Sequence, residues 1–396
     1  MIGRLLPSLV LTLLVVACGR PATTGSVTPF DTLLRTAVDD RRVPNVVAMV
    51  ATRDGVVYRG AVGVPHDAIF AIASMTKPVT SVAVMQLVEA GRVALDEPAH
   101  TYLPELRRVQ VLDGGKLRPP KSPPTVRQLL THTSGFAYDL FNHEIAELVQ
   151  TGRLVSIRTG TDEFLRAPLV FDPGTQWEYG IGTDWLGRLA ERVSGQSLDV
   201  YFKTNIFDPL GLSDTVFAVP ADKRARLAPL YMRQADGTLQ VLPEPSAEAP
   251  KFLSGGGGLY STAADYLRFS RALLAGGELD GRRILRSETV AMMGEHQIGE
   301  LAVGEIEALD PRLVAPETVL PGGIDGFGLG FALNRRPLVS GRGANTMSWA
   351  GVYNTFFWID RERGIAAVLL SQLLPFGDGG AALVAEDFDR LVYRTF

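Results

Sequence analysis

Residues 69–90, IFAIASMTKPVTSVAVMQLVEA, decide the reading of this chain. A short apolar strand near Ile69–Ile72 runs into Ser74, and a helix follows to about Ala90. Val79, Val82, Ala83, Val84, Met85, Leu87 and Val88 fall on nearly every side of that helix, which predicts a buried element. Ser74 and Lys77 stand three residues apart, so they share one helical face and can touch across a turn. A serine hydroxyl is a poor nucleophile unless a base lies within hydrogen-bond reach. Burial among apolar residues is what turns a lysine into such a base. Only six of the 39 basic residues are lysines, so Lys77 is not compositional noise. The competing interpretation is a helix cap at Ser74 with a solvated Lys77, and the apolar helix leaves few solvated faces for it.

The flanking sequence sorts into three regions. Leu33, Leu34, Ala37 and Val38 mark a helix over Phe30–Arg42, and Val46–Thr52 and Val56–Gly63 flank Arg53-Asp54-Gly55 as a hairpin. The middle is loop-rich, with proline-rich stretches at 104–127 and 218–251 and helices over Asp184–Ser194 and Ala263–Leu274. The end returns to strands, at Phe327–Leu333, Thr346–Trp349, Asn354–Ile359 and Ile365–Gln372, before a last helix at about Ala381–Tyr393. The expected fold class is α/β in the α+β sense. Its antiparallel sheet is built from both chain ends (about 30–103 and 325–396) and flanked by helices, with a mostly helical insertion at about 104–324.

At 396 residues, 46% hydrophobic and 21% charged, the chain can bury a large core. A net charge of −4 with no basic run gives no reason to expect a nucleic-acid partner. The single cysteine, Cys18, excludes an internal disulfide and cysteine-built zinc sites, and no metal or other cofactor is expected. Residues 1–17, with Arg4 ahead of an apolar run from Leu5 to Ala17, have the layout of a signal peptide. Val15-Val16-Ala17-Cys18 resembles a bacterial lipobox, which would make Cys18 a lipid attachment point and 18–29 a tether. The expectation is an exported protein of the bacterial cell envelope, lipid-anchored on the periplasmic side of a membrane, or else soluble in the periplasm or secreted. Oligomeric state is not readable.

Further motifs accompany Ser74–Lys77: Thr131-His132-Thr133-Ser134-Gly135, Pro173-Gly174-Thr175-Gln176-Trp177-Glu178-Tyr179 and Gly257-Gly258-Leu259-Tyr260-Ser261. In this order the chain resembles the serine β-lactamase and penicillin-binding-protein superfamily, over about residues 30–394. The pattern is most similar to class C β-lactamases and family VIII carboxylesterases. The resemblance implies a β-lactamase/transpeptidase-like fold, with Ser74 as the acylated nucleophile, Lys77 as its base and Tyr179 as a proton shuttle. It places Trp349-Ala350-Gly351 on a strand beside the nucleophile, with the backbone amides of Ser74 and Val352 as the oxyanion hole. Glycine at 351 would let an acyl group lie against that strand.

Two departures bear on substrate. Ile181 replaces the asparagine of the Tyr-x-Asn motif, and Trp349 replaces the cation of the third motif. With Trp349, Ala350, Gly351 and Ile181 at the substrate site, the implied activity is ester hydrolysis through an acyl-enzyme, or acyl transfer to an alcohol. A β-lactamase or D-Ala-D-Ala peptidase of the same superfamily is the alternative, and a non-catalytic envelope binding protein is a second. A Ser-His-Asp hydrolase is disfavoured because no Gly-x-Ser-x-Gly elbow occurs and His132 belongs to a structural turn.

Overall fold

Val46–Thr52 (VVAMVAT) is apolar at successive rather than alternate positions, the pattern of a strand covered on both faces. In the structure, a computed structural model that describes residues 27–396 apart from 247, 305, 307 and 317–322, it lies inside a seven-stranded sheet. The strands are β1 (Val46–Thr52), β2 (Gly55–Val62), β3 (Gly326–Phe327), β4 (Ala332–Asn334), β5 (Thr346–Gly351), β6 (Thr355–Asp360) and β7 (Ile365–Leu370). Their order is β3-β4-β5-β6-β7-β1-β2, and every neighbouring pair is antiparallel. β1 therefore pairs with β7 across the full length of the chain, Val47 opposite Leu370 and Thr52 opposite Ile365.

Successive residues of β1, β6 and β7 serve different cores, as the period of two requires. Val46, Ala48, Val50, Trp358, Ala367 and Leu369 face a layer closed by α1 (Pro29–Asp39) and a C-terminal helix, through Leu34, Val384 and Phe388. Thr28 caps α1 in a reciprocal capping box with Asp31. Val47, Met49, Ala51, Phe357, Ile359 and Val368 face the larger core, with α2 (Thr76–Glu89), α3 (Gly182–Ser194) and α4 (Ala263–Leu274). The C-terminal helix, α5, spans Gly379–Thr395.

The expected architecture is present, with one correction. The single strand expected over Phe327–Leu333 is two strands, β3 and β4. The chain reverses between them where Gly328 N–H donates to Phe331 O and Gly330 sits at φ +89°. The inserted stretch 104–324 packs directly on the sheet. Its helix α4 lies against β1, β6 and β7, and its strand Tyr231–Arg233 pairs in parallel with Leu373–Leu374. One continuous apolar cluster joins α2, α3, α4 and the sheet, so the seam is a packed interior. The signal segment, Cys18 and the tether up to residue 26 lie outside the described residues.

Candidate active site

Ser74 sits where three elements converge. Phe70–Ala71 pairs antiparallel with Tyr260–Ser261, Ile72 N–H donates to Leu259 O, and the chain then turns through Ala73–Met75 into α2. Ala73, just before the serine, adopts φ +43°, a left-handed conformation costly for a residue with a Cβ. Met75, Val79 and Val82 lock the turn and helix into the core.

One turn on, Lys77 is almost completely buried and points back at Ser74. Its ammonium donates to Gly256 O at 2.7 Å, Tyr138 Oη at 3.0 Å and Ser74 Oγ at 3.3 Å, which uses all three of its donors. The Tyr179 phenol donates to Ser74 Oγ at 2.7 Å. Lys77 Nζ lies 4.7 Å from the Tyr179 ring centroid and 5.1 Å from that of Tyr138, so two aromatic faces share in stabilising its charge. Residues separated by more than a hundred positions thus meet around one oxygen.

Behind Lys77 lies a carboxylate that the sequence reading did not single out. Asp184, wholly buried in the first turn of α3, accepts from Ser254 Oγ at 2.6 Å and Gly256 N–H at 3.0 Å through one oxygen, and from Tyr138 Oη at 3.3 Å through the other. Burial raises its carboxyl above the usual range; the Lys77 charge and the Ser254, Gly256 and Tyr138 hydrogen bonds pull the other way. Burial, with the Asp184 charge behind it, pushes the Tyr138 phenol well above the ordinary tyrosine value, so Tyr138 stays protonated. Gly256 must be glycine, because a Cβ there would collide with Asp184 Oδ2. In the sequence Asp184 marks only the start of a helix, and an acid in a first turn ordinarily complements the helix dipole. The four-glycine run at 255–258 was the one local hint of close packing.

His132, at φ +58° and buried, presents its ring edge-on to Tyr179 at 5.1 Å and lies near-parallel to Trp349 at 6.4 Å. Burial first, and the Lys77 charge second, hold it well below the ordinary histidine value, so it is neutral. It packs the tyrosine rather than reaching the serine.

β5 brings the remaining residues. Trp349, Ala350, Gly351 and Val352 line the same pocket as Ser74 and Tyr179, with the Trp349 ring 5.2 Å from that of Tyr179. Gly351 has a different cause from the one expected. The space a side chain would take is filled by Ile72 O and Thr355 Oγ1, so the glycine lets β5 approach the backbone that carries Ser74. Ile181 is a correction: its side chain is 2% exposed, packs in the core and is not part of the pocket wall. It immediately precedes α3, where its carbonyl accepts from the amides of Asp184 and Trp185.

The pocket above Ser74 has a volume of ≈ 330 Å³. Its walls are largely apolar, with Leu140, Phe141, Ile157, Leu313, Val314 and Phe376 among them. These wall residues come from the long loops, where the sequence carried no periodic signal to place them.

The Beta-lactamase family profile matches residues 30–389. Esterase EstB of Burkholderia gladioli is 32% identical to the chain over 90% of it and 92% of EstB. Lovastatin esterase of Penicillium rubens is 30% identical, over 92% of the chain and 98% of that enzyme. Among solved structures, unliganded simvastatin synthase (LovD) from Aspergillus terreus superposes with a TM-score of 0.80 at 28% identity, covering 93% of the chain and 98% of LovD.

Proposed function

Because the chain belongs to the beta-lactamase family, we propose that it is a serine hydrolase that takes the acyl group of a carboxylic ester onto Ser74 and passes it to water or to an alcohol. The observation that carries this reading is Ser74 Oγ held by Tyr179 at 2.7 Å and Lys77 at 3.3 Å beneath an apolar pocket. Ser74 attacks the ester carbonyl as its proton passes to Lys77, which acts as the base in its neutral form once its ammonium has released a proton to solvent. The backbone amides of Ser74 and Val352 hold the oxyanion, donors typically worth ~3 kcal/mol each. Tyr179, hydrogen-bonded to the same serine oxygen, hands a proton to the departing alkoxide, and the reverse sequence with water or an alcohol frees the enzyme. Similarity to enzymes named as esterases supports water as the acceptor, and 29% identity to the monacolin J acid methylbutanoyltransferase of Aspergillus terreus supports acyl transfer.

A second reading, β-lactam or D-Ala-D-Ala amide cleavage, needs a cation beside the nucleophile to hold the substrate carboxylate, and Trp349 occupies that strand position. Short-chain p-nitrophenyl esters run against nitrocefin and a D-Ala-D-Ala peptide separate the two. Ester turnover with mass-detected acylation of Ser74 is the expected result. Efficient nitrocefin hydrolysis with weak ester turnover would replace the ester reading, and failure of a fluorophosphonate to label folded protein would leave only a binding role.

The export reading is a separate proposal that rests on Arg4, the apolar run 5–17 and Cys18. Radiolabelled palmitate should enter the wild-type chain in a bacterial host and not the Cys18→Ser variant. Palmitate entering neither form would favour a signal peptide without lipidation.

A further inference from the structure

Arg158 is the one charged side chain among the described residues that line the pocket. It lies on the turn Ile157–Thr159, capped by Ser156, whose hydroxyl is itself held by Asp139 at 2.5 Å. The Arg158 side chain is 49% exposed, so it stands at the rim, whereas Trp349 and Tyr179 are buried deeper. Its guanidinium donates to Asp310 Oδ2 at 3.1 Å.

Asp310 does not neutralise it alone, because Arg312 already grips that carboxylate. Arg312 donates through Nε to Oδ1 and through Nη2 to Oδ2, both at 3.0 Å, and through its backbone N–H to Oδ1 at 3.0 Å. Two guanidinium groups thus share one carboxylate, and the group of three carries one positive charge. Asp310 is held in place by its segment: Leu309 N–H donates to Leu140 O, and Ala315 N–H donates to Phe376 O. A planar guanidinium has five donors and Asp310 accepts one hydrogen bond from this one, which leaves a fork for a second carboxylate. Leu140, Phe141, Ile157 and Val314 line the same pocket as Arg158 and Ser74.

We propose, on the premise that Ser74 is acylated by esters, that Arg158 is a specificity-determining residue and that the preferred substrates carry an anionic group, a carboxylate, separated from the scissile ester by an apolar stretch. The ester carbonyl then lies at Ser74, the apolar stretch against the pocket walls, and the carboxylate pairs with Arg158. This differs from the carboxylate clamp of β-lactam-binding relatives, which Trp349 replaces on the strand itself.

The carboxylate can belong to the acyl chain or to the alcohol, and two substrate arms tell these apart. One uses p-nitrophenyl monoesters of adipic, suberic and sebacic acids against their methyl-capped counterparts. The other uses butyrate esters of ω-hydroxy acids against the methyl esters of the same compounds. For each pair the readout is the ratio of kcat/KM for the free carboxylate to that for the capped form. In one arm, at one chain length, the wild-type ratio is expected to reach about tenfold, the size of a charge-assisted hydrogen bond at a partly exposed site. Raised salt should lower it. Arg158→Ala should bring the ratio to near unity, Arg158→Glu should invert it, and Arg158→Lys should keep part of it. A ratio near unity in the wild-type protein at every length in both arms would overturn the proposal while capped esters still acylate Ser74. So would a ratio unchanged in Arg158→Glu. Loss of turnover on capped and free esters alike in the wild-type protein would instead sink the esterase reading beneath it.

Discussion

The Lys77 ammonium and the Asp184 carboxylate are joined through one phenol: Tyr138 Oη accepts from Lys77 Nζ at 3.0 Å and donates to Asp184 Oδ2 at 3.3 Å. A second path runs through Gly256, whose carbonyl accepts from Lys77 and whose N–H donates to Asp184. Asp184 is therefore a positioning residue. It touches no reacting atom, yet it fixes two of the three acceptors that aim Lys77 at Ser74.

Asp184→Asn should separate activity from stability. Asparagine can still accept from Ser254 and Gly256, but it supplies no counter-charge, so kcat should fall about tenfold with KM little changed, the loss of ~1.4 kcal/mol from a charged hydrogen-bond path. Burial raises the folded carboxyl above its unfolded value, so the folded state binds the proton more tightly, and stability declines as pH rises through the interval between the two values. The variant lacks that decline. Thermal melts should show it no less stable than wild type at pH 7–8, with the wild-type protein gaining on it as pH falls through that interval. A large drop in melting temperature at pH 7 would mean that Asp184 is chiefly structural.

The three residues around the serine oxygen should fail in different ways. Ser74→Ala should remove acylation while leaving the melting temperature intact, and Lys77→Ala should lower kcat steeply. Tyr179→Phe keeps the packing against His132 and Trp349 and removes only the hydroxyl, so kcat should fall about 10²- to 10³-fold with a small change in KM. Steady-state kinetics on one alkyl ester, such as ethyl butyrate, whose alkoxide must be protonated as it leaves, checks all three, and full activity in any one refutes that residue's role.

Gly351→Ala tests why β5 carries glycine beside the nucleophile. The new Cβ would collide with Ile72 O and Thr355 Oγ1, forcing β5 from the backbone that leads into Ser74. The expected cost is about 1–3 kcal/mol of stability. Because the displaced segment carries the nucleophile, loss of kcat should accompany it for short acyl chains as much as long ones. A variant that handles short esters normally and rejects only long ones would restore the view that the glycine makes room for substrate.

The fold was legible where burial writes itself into consecutive residues. β1 is apolar from Val46 to Ala51 and β7 is apolar throughout, so a sheet assembled from both chain ends could be anticipated. Ser74 and Lys77 were legible because helical geometry alone puts them together. Tyr138, Asp184, Gly256 and Arg158 were not, since each reaches the site from a different loop or helix end and no local period ties one to another. Ile181 was misplaced for a related reason. Its position in a motif shows where the backbone runs, but its side chain turns into the core. The split of β3 from β4 depends on one positive-φ glycine in a run where three glycines alternate with apolar residues.

His132 supplies a pH dependence of opposite sign to that of Asp184. In the unfolded chain a histidine takes a proton at about pH 6.5, whereas burial and the Lys77 charge hold the folded His132 well below this. As pH falls below about 6.5 the unfolded state binds the proton first, so stability is full above that value and is lost progressively beneath it, by up to ~1.4 kcal/mol per pH unit. His132→Asn keeps a residue tolerant of φ +58° and removes the titration. Urea unfolding from pH 8 to pH 5 at constant ionic strength should give a steeper acid decline for wild type than for the variant. Parallel curves would mean that His132 takes up its proton inside the folded protein, beside Lys77, and that the Tyr179 ring packs against an imidazolium.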